Sequence, residues 1–368
     1  MKLAALDRPY EDFFVPTAVV TVGGKDVLRD LLLAVIAVEV ELGIRSPGRF
    51  SFTVGSVFDW EVSEFVAGEN ERRIDLLDLF AFGAAAKISL GYGEPSKLEP
   101  MFEGVVTEVA ASFTDSATPT LTISGYDKLY PLRLNRASRH WDKAKVSDAV
   151  AAVAAANGLT ADVRDTRRIE AGIDQTRESD LAFIERMADL TGSIFYMRSG
   201  KFYFGPRTSR SPALEVPWGQ GLESFSPSAN LAGQTSAVEV HAWSAVAGAA
   251  VVGKARRGDE TGRDGRRKSG GEWLAAAFGG DSTLRVSAPV RDQAEADSRA
   301  LAILEARAHQ FVTGEGECVG IPAILPDTRI TLSGLGRVFS KSYYVGEATH
   351  RLDEGGYRTR FAVQEPTL

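Results

Sequence analysis

One cysteine, Cys318, is all that the 368-residue chain contains. No disulfide can form within it, and the fold must rest on packing alone. Histidine is scarce as well: His140, His241, His309 and His350 stand in four separate stretches, none with a partner at H-x-H or H-x-x-x-H spacing. With no C-x-x-C either, neither a metal site nor a cofactor is expected. The sequence lacks a G-x-S-x-G elbow, a Walker loop and a G-x-G-x-x-G after a strand. LSGLGRVF (332–339) does contain G-x-G, but it joins two strands and is expected to open no helix. Positive charge is in deficit, with 42 Lys and Arg against 49 Asp and Glu, a net charge of −7. That balance weighs against a protein that grips nucleic-acid phosphates. Long apolar runs are missing too. The longest, LLLAVIAVEVEL (31–42), carries Glu39 and Glu41 at alternating positions, and Asp7, Arg8, Glu11 and Asp12 break up the N-terminal stretch. Neither a secretory signal nor a membrane span is expected, and the chain is expected to start in the cytoplasm with no stable membrane association.

What is present suits a globular protein of two to four domains, 44% hydrophobic and 25% charged. From 15 to 135 the pattern is mostly strand. Segments 16–24, 34–42, 49–55, 86–93, 101–113 and 119–127 are rich in Val, Ile, Thr and aromatics, and many alternate polar with apolar. One short helix is expected over 70–80. From about 136 to 210 the pattern becomes α/β. A helix over 145–159 has Ser147 as N-cap and Asn157-Gly158 as its stop. A second follows Ser179 and ends at Gly192, with Leu181, Phe183, Ile184, Met187, Ala188 and Leu190 as its apolar stripe. Ser199-Gly200 then marks a two-residue hairpin. A Gly, Ser and Pro-rich linker (205–234) leads to a strand at 237–243 and a basic, glycine-rich surface loop at 253–273. A long helix at 292–311 has Asp292 and Glu295 at capping-box spacing. Strands return at 328–334, 342–352 and 357–365.

The two β regions share a register. Ile88, Leu90, Phe102, Gly104 and Thr107 match Ile330, Leu332, Tyr344, Gly346 and Thr349, every pair 242 residues apart. The expected fold is therefore mainly β with α+β insertions: two tube-like β-barrel domains related by internal duplication, separated by a small α/β domain. The boundaries read as 1–135, 136–212 and 213–368, the last carrying loop 253–273 and helix 292–311.

Carboxylates concentrate around the second helix at Glu178, Asp180, Glu185 and Asp189. Paired carboxylates can serve general acid/base chemistry. Here, however, Glu185 and Asp189 share a face opposite the apolar stripe, and Asp180 suits the positive end of the helix dipole. A solvated helix back is expected for all four, and no catalytic residue is assigned. Cys318, with no histidine near it in sequence, is expected to be a buried or half-exposed thiol. Arg256, Arg257, Arg263, Arg266, Arg267 and Lys268 form the one candidate partner-contact set, suited to phosphate or an acidic partner. The set includes an Arg257-Gly258-Asp259 tripeptide, and a hydrated loop is the plain alternative.

These residues also carry a resemblance. ESDLAFIERMADLTGSIFYMRSGKFYFG (178–205) resembles the segment of phage late control D proteins, the hubs of contractile tails, in which E-S-D-L-x-F-L-x-R-L-A-x-x-x-G leads into a hairpin. The hub part of type VI secretion spike proteins has a corresponding segment. FGAAAKISLGYG, MFEGVVTEV and LTISGYDKLYPLRLNR look like that family's first barrel. EADSRALAILEARAHQFVTGEGECVGIPAILPDTRITLSGLG and SYYVGEATHRLDEGGYRTRF are similar to its C-terminal barrel. The resemblance covers roughly residues 15–365. It implies a non-enzymatic baseplate hub of a virion tail or injection particle, made in the bacterial host cytoplasm. Such a hub is a homotrimer whose six similar units ring a central channel and adapt a hexameric tail tube to a trimeric spike. The implied partners are a tail tube or tube-initiator protein, a separate spike protein and other baseplate proteins, with DNA only as passing cargo. The chain ends after the second β region, so the spike is expected on another chain. Loop 254–268, longer and more charged than a minimal hub needs, is expected to reach a neighbouring baseplate protein. The competing readings are a tail-associated cell-wall hydrolase using Glu185 or Asp189, and a receptor-binding tail protein.

Overall fold

The computed structural model describes the chain except for residues 1–9, 11–12, 69–72, 116, 209, 245–247 and 262. A first β unit comprises β1 (Pro16–Val22), β2 (Lys25–Asp26), β3 (Ala34–Gly43), β4 (Arg49–Gly55), β5 (Phe58–Asp59), β6 (Glu64–Ala67), β7 (Ile74–Asp75), the one-turn helix α1 (Leu76–Leu79), β8 (Ala85–Tyr92), β9 (Glu99–Thr114) and β10 (Ala117–Asp127). Alternation decides which side chains go inside. Val38, Val40, Phe50, Phe52, Val54, Leu121 and Ile123 are buried together, while the intervening polar residues face the other way. The helix read over 70–80 shrinks to α1, because Ile74 and Asp75 first pair with β6. Asp75 then caps the turn by accepting the Leu77 N–H at 2.8 Å. Residues 70–72 of that helix, like Glu11 and Asp12, lie outside the described residues.

The α/β segment follows as β11 (Arg136–Lys145), α2 (Val146–Ala156), β12 (Thr160–Val163), β13 (Ile169–Ser179), α3 (Asp180–Thr191), β14 (Ile194–Arg198) and β15 (Lys201–Gly205). The cap of α2 is Lys145, not Ser147, which sits inside the first turn. Its stop is as read, with Gly158 at φ +68°. For α3, Ser179 accepts the Ala182 N–H at 3.1 Å, and Gly192 closes the helix at φ +65°. The α3 stripe packs with Val150 and Val153 of α2 and with Phe195, Phe202 and Phe204 of the hairpin in one core. Ser199 (φ +47°) and Gly200 (φ +72°) supply the two left-handed residues of the tight turn between β14 and β15.

The rest comprises β16 (Arg210–Pro217), β17 (Leu222–Ala229), β18 (Ala237–Ser244), β19 (Ala249–Arg256), α4 (Gly270–Phe278), β20 (Thr283–Ser287), α5 (Gln293–Ala308), β21 (Val312–Val319), β22 (Thr328–Ser333), the one-turn α6 (Gly336–Phe339), β23 (Lys341–Asp353) and β24 (Gly356–Glu365). Three sequence readings change here. The linker 205–234 holds two strands, β16 and β17. Among the described residues each pairs on one side only, a position where Pro217 and Pro227 are tolerated. The LSGLGRVF stretch does open a helix, though of a single turn. The basic stretch 253–273 is partly ordered as the end of β19 and the start of α4. Residues 237–308 also have a core of their own, with α5 laid on the β19-β18-β20 sheet through Val238, Val240, Ala296, Ala300 and Leu304.

The mainly β class with α+β insertions and a duplicated β unit is what the chain has. The first unit orders its strands β3-β4-β10-β9-β8-β1, and the second β17-β21-β24-β23-β22-β16. The departure is at the end, where β1 runs antiparallel to β8 but β16 runs parallel to β22. In place of two separately closed barrels, pairing among the described residues joins the units into one thirteen-stranded sheet. The weld is β3 against β23, with Val38–Gly43 opposite Glu347–Leu352.

Candidate functional site

Rows of directly paired residues cross the weld without changing face, because partners opposite each other in a sheet share a side. One row runs Cys318, Thr359, His350, Val40, Phe50, Gly125, Val106. This row belongs to the core. His350 is fully buried; its Nε2–H donates to the Ile324 carbonyl at 2.9 Å, and its Nδ1 lies 2.9 Å from the Tyr357 hydroxyl. Burial pushes the imidazole down to about 4 and the Cys318 thiol far up, so both stay neutral.

The adjacent rows lie on the opposite face and are polar. One runs Ser224, Glu317, Arg360, Thr349, Glu41, Arg49. Another runs Arg358, Arg351, Glu39, Ser51, Ser124, Glu108, linking both units. Glu315 and Glu347 flank Ala362 in a third. The arginines are spent inside this face: Arg360 on Glu317 at 3.2 Å, Arg351 on Glu39 at 3.6 Å, Arg358 on Glu223 at 3.1 Å and Arg49 on Glu108 at 3.7 Å. Glu41, Glu315 and Glu347 have no ion pair among the described residues, leaving the face acidic. Partial burial, and then the Glu39 charge beside it, raise the Glu41 carboxyl above its usual range, with Arg49 opposing. An open depression on this face is lined by Ser224, Glu315, Glu317, Glu347 and Arg360. Chemically the arrangement is a hydrophilic wall with its cations internally neutralised.

The residues that the sequence singles out lie elsewhere. The basic set does not form one cluster. Arg257 pairs with Asp281 at 2.6 Å, Arg263 with Glu272 at 3.3 Å and Arg267 with Asp264 at 3.6 Å; Arg267 also donates to the Val338 carbonyl at 3.0 Å. Lys268 stands over the Trp273 ring. Arg256 and Arg266 are exposed, without an ion pair among the described residues. Among the carboxylates, Glu178 pairs with Arg186 and Asp189 with Arg45, and Glu185 is half-exposed. Asp180 departs from the solvated helix back. It is 5% exposed and accepts from Arg139 at 2.5 Å, Gln175 at 2.7 Å and Asn157 at 2.7 Å. Burial alone would raise its carboxyl; those hydrogen bonds outweigh burial and hold it below the usual range. Alternation marks Glu39 and Glu41 in the sequence, but nothing local places Arg351 and Arg360 beside them. Among the described residues no group of three or more His, Cys, Asp or Glu could hold a metal ion, and no helix is long and apolar enough to cross a membrane.

Residues 57–354 match the sequence model of the family described as the Alg8 N-terminal domain, a description that names a domain and no activity. No curated protein matches the chain in sequence. Among solved structures, the chain is similar to the 43 kDa tail protein of prophage MuSo2 from Shewanella oneidensis. The TM-score is 0.69 at 14% identity, over 95% of this chain and 98% of that one. A tail protein from Neisseria meningitidis MC58 gives 0.67 at 13% identity, over 96% and 97%. A component of the E. coli type VI secretion system gives 0.55 at 11%, over 95% and 77%. At such identities the likeness is one of fold.

Proposed function

The chain belongs to the Alg8 N-terminal domain family, and from a fold shared with phage tail proteins we propose that it is a structural tail protein. In this reading it is the hub of a contractile tail or related injection particle, of the late control D kind. Three copies form a ring of six β units that seats a hexameric tube on one side and a separate trimeric spike on the other. The observation that carries the reading is the single sheet that runs through both duplicated units with one core face and one polar face. Closed rings are built from repeated interfaces, and a chain with two like units allows a three-fold object to meet a six-fold one. The polar face is then the channel wall. Its unpaired carboxylates repel a passing polyanion, and its arginines, held in ion pairs, offer no free cationic cluster to retain one.

The reading is non-enzymatic. Of Glu185 and Asp189, the two carboxylates open to a hydrolase role, Glu185 is half-exposed on the helix and Asp189 is held by Arg45. The exposed Arg256 and Arg266 remain the part of the basic loop free to contact a neighbouring baseplate protein. The experiment is the copy number of this chain in the assembled particle. Three per ring supports the hub; a copy number that is not three, with hydrolytic activity in the purified chain, overturns it.

A further inference from the structure

We propose that a saddle of exposed tryptophans and unpaired cations, formed where the end of β16, α6 and the start of α4 meet, is a docking surface. Its occupant is a segment of a different protein that presents carboxylates around an apolar side chain. The inference rests on the tail-protein reading and gives the chemistry of a partner which that reading leaves open.

Three stretches distant in sequence build the surface. Trp218, just after β16, donates its N–H to the Ser333 carbonyl at 2.9 Å. Gly334 passes so close, at φ +80°, that a Cβ on it would lie 3.1 Å from the Trp218 Cβ. Next in the chain, the turn α6 carries Arg337 and Val338. The Val338 carbonyl accepts from Arg267 at 3.0 Å, which brings the basic loop against α6. On the following residue, the Lys268 carbonyl accepts the Leu368 N–H at 3.0 Å. Ser269 and Glu272 then close the capping box that starts α4. Lys268 reaches over the Trp273 ring, its Nζ 5.0 Å from the centroid. The surface is thus fixed by hydrogen bonds to its own backbone, and a partner has little left to order.

The side chains shown there suit a contact between proteins. Trp218 is 51% exposed, Val338 40% and Trp273 39%, a concentration of large apolar groups in water. Tryptophan and arginine are also the residue types on which binding energy at protein contacts concentrates. Among the described residues, Arg266, Lys268 and Arg337 are exposed and have no ion pair, in a chain of net charge −7. That local charge selects the occupant. Free cations call for carboxylates, and the tryptophans call for an apolar side chain between them. Asp264 and Glu272 stand among the cations, paired with Arg267 at 3.6 Å and Arg263 at 3.3 Å. Their oxygens disfavour a continuous run of phosphates, as on a nucleic acid or a lipid surface. Discrete carboxylates on a protein segment can seat on the cations and leave the two acids aside.

Photocrosslinking in assembled particles tests this, with Trp273→benzoylphenylalanine in one variant and Val338→benzoylphenylalanine in another. Both positions are exposed, and a folding defect at one leaves the other informative. The expected adduct is with a different protein of the particle, at a peptide that carries Asp or Glu on both sides of an apolar residue. Adding Lys268→Glu and Arg337→Glu should cut its yield about tenfold. An adduct with a second copy of this chain, with nucleic acid or with lipid would overturn the docking surface. So would no adduct at either position, or a yield unchanged by charge reversal. Three copies per ring in the same particles would leave the hub reading standing; a copy number that is not three, beside the expected adduct, would overturn the hub reading alone.

Discussion

Asp180 illustrates how a residue's neighbours, not its position on a helix, decide its role. As the first residue of α3 it suits the helix dipole, and in sequence it belongs with its solvated neighbours. In the structure it is the shared acceptor for Arg139, Gln175 and Asn157, residues from β11, β13 and the end of α2. Asp180→Ala removes the buried acceptor that the three share and the carboxylate paired with Arg139, and is expected to cost about 3 kcal/mol in urea unfolding. Glu185→Gln should stay within about 0.5 kcal/mol. The buried histidines set a pH dependence. Burial lowers His350 to about 4 and His309 to about 3, whereas an unfolded chain protonates them near 6.5. Below that value the unfolded state binds more protons, so their contribution is complete above about pH 6.5 and is lost as pH falls toward 4. Asp127 runs the other way: burial raises its carboxyl to about 7, despite N–H donors from Gly48 and Leu129. Its contribution is lost as pH rises through that value. Thermal melts from pH 7 to 4 should therefore show a shallower acid loss for His350→Gln than for the parent chain; an unchanged slope would contradict the assignment.

At the scale of elements, the local signals that the sequence carries in full are the ones the structure repeats. Ser179, Gly192 and Ser199-Gly200 each satisfy a nearby backbone requirement, and each sits where the chain places it. β16 and β17 are hidden by their prolines, whose tolerance depends on an edge position that only the assembled sheet defines. The start of α4 is hidden by Gly270 and Gly271, although Ser269 and Glu272 form a capping box. Both glycines lie in close contact with the chain, where a Cβ would meet Gln234 and the Thr235 carbonyl. The repeat itself was legible from a constant offset, but its glycines are not equivalent. A Cβ on Gly104 would lie 2.2 Å from the Tyr126 carbonyl oxygen, whereas on Gly346 the nearest atom is 3.4 Å away. Gly104→Ala should therefore cost about 1–3 kcal/mol through overpacking. Gly346→Ala should cost much less, and melting the two variants side by side separates them.

The whole molecule is where the sequence says least. Composition weighs against a phosphate-gripping surface, and alternation assigns two faces to each strand. Neither reveals that β3 and β23, more than 300 residues apart in the chain, merge two units into one sheet with a continuous acidic wall. That weld turns a duplication into a candidate ring segment, and it puts Glu41, Glu315, Glu347 and the paired arginines on one surface. A density map of the assembled particle, resolved to side chains at the level of this protein, is the decisive measurement. Three chains and six β units are expected around the axis, with Glu41, Glu315 and Glu347 facing the lumen. A different copy number, or a sheet whose polar face is turned away from the channel, would contradict this arrangement.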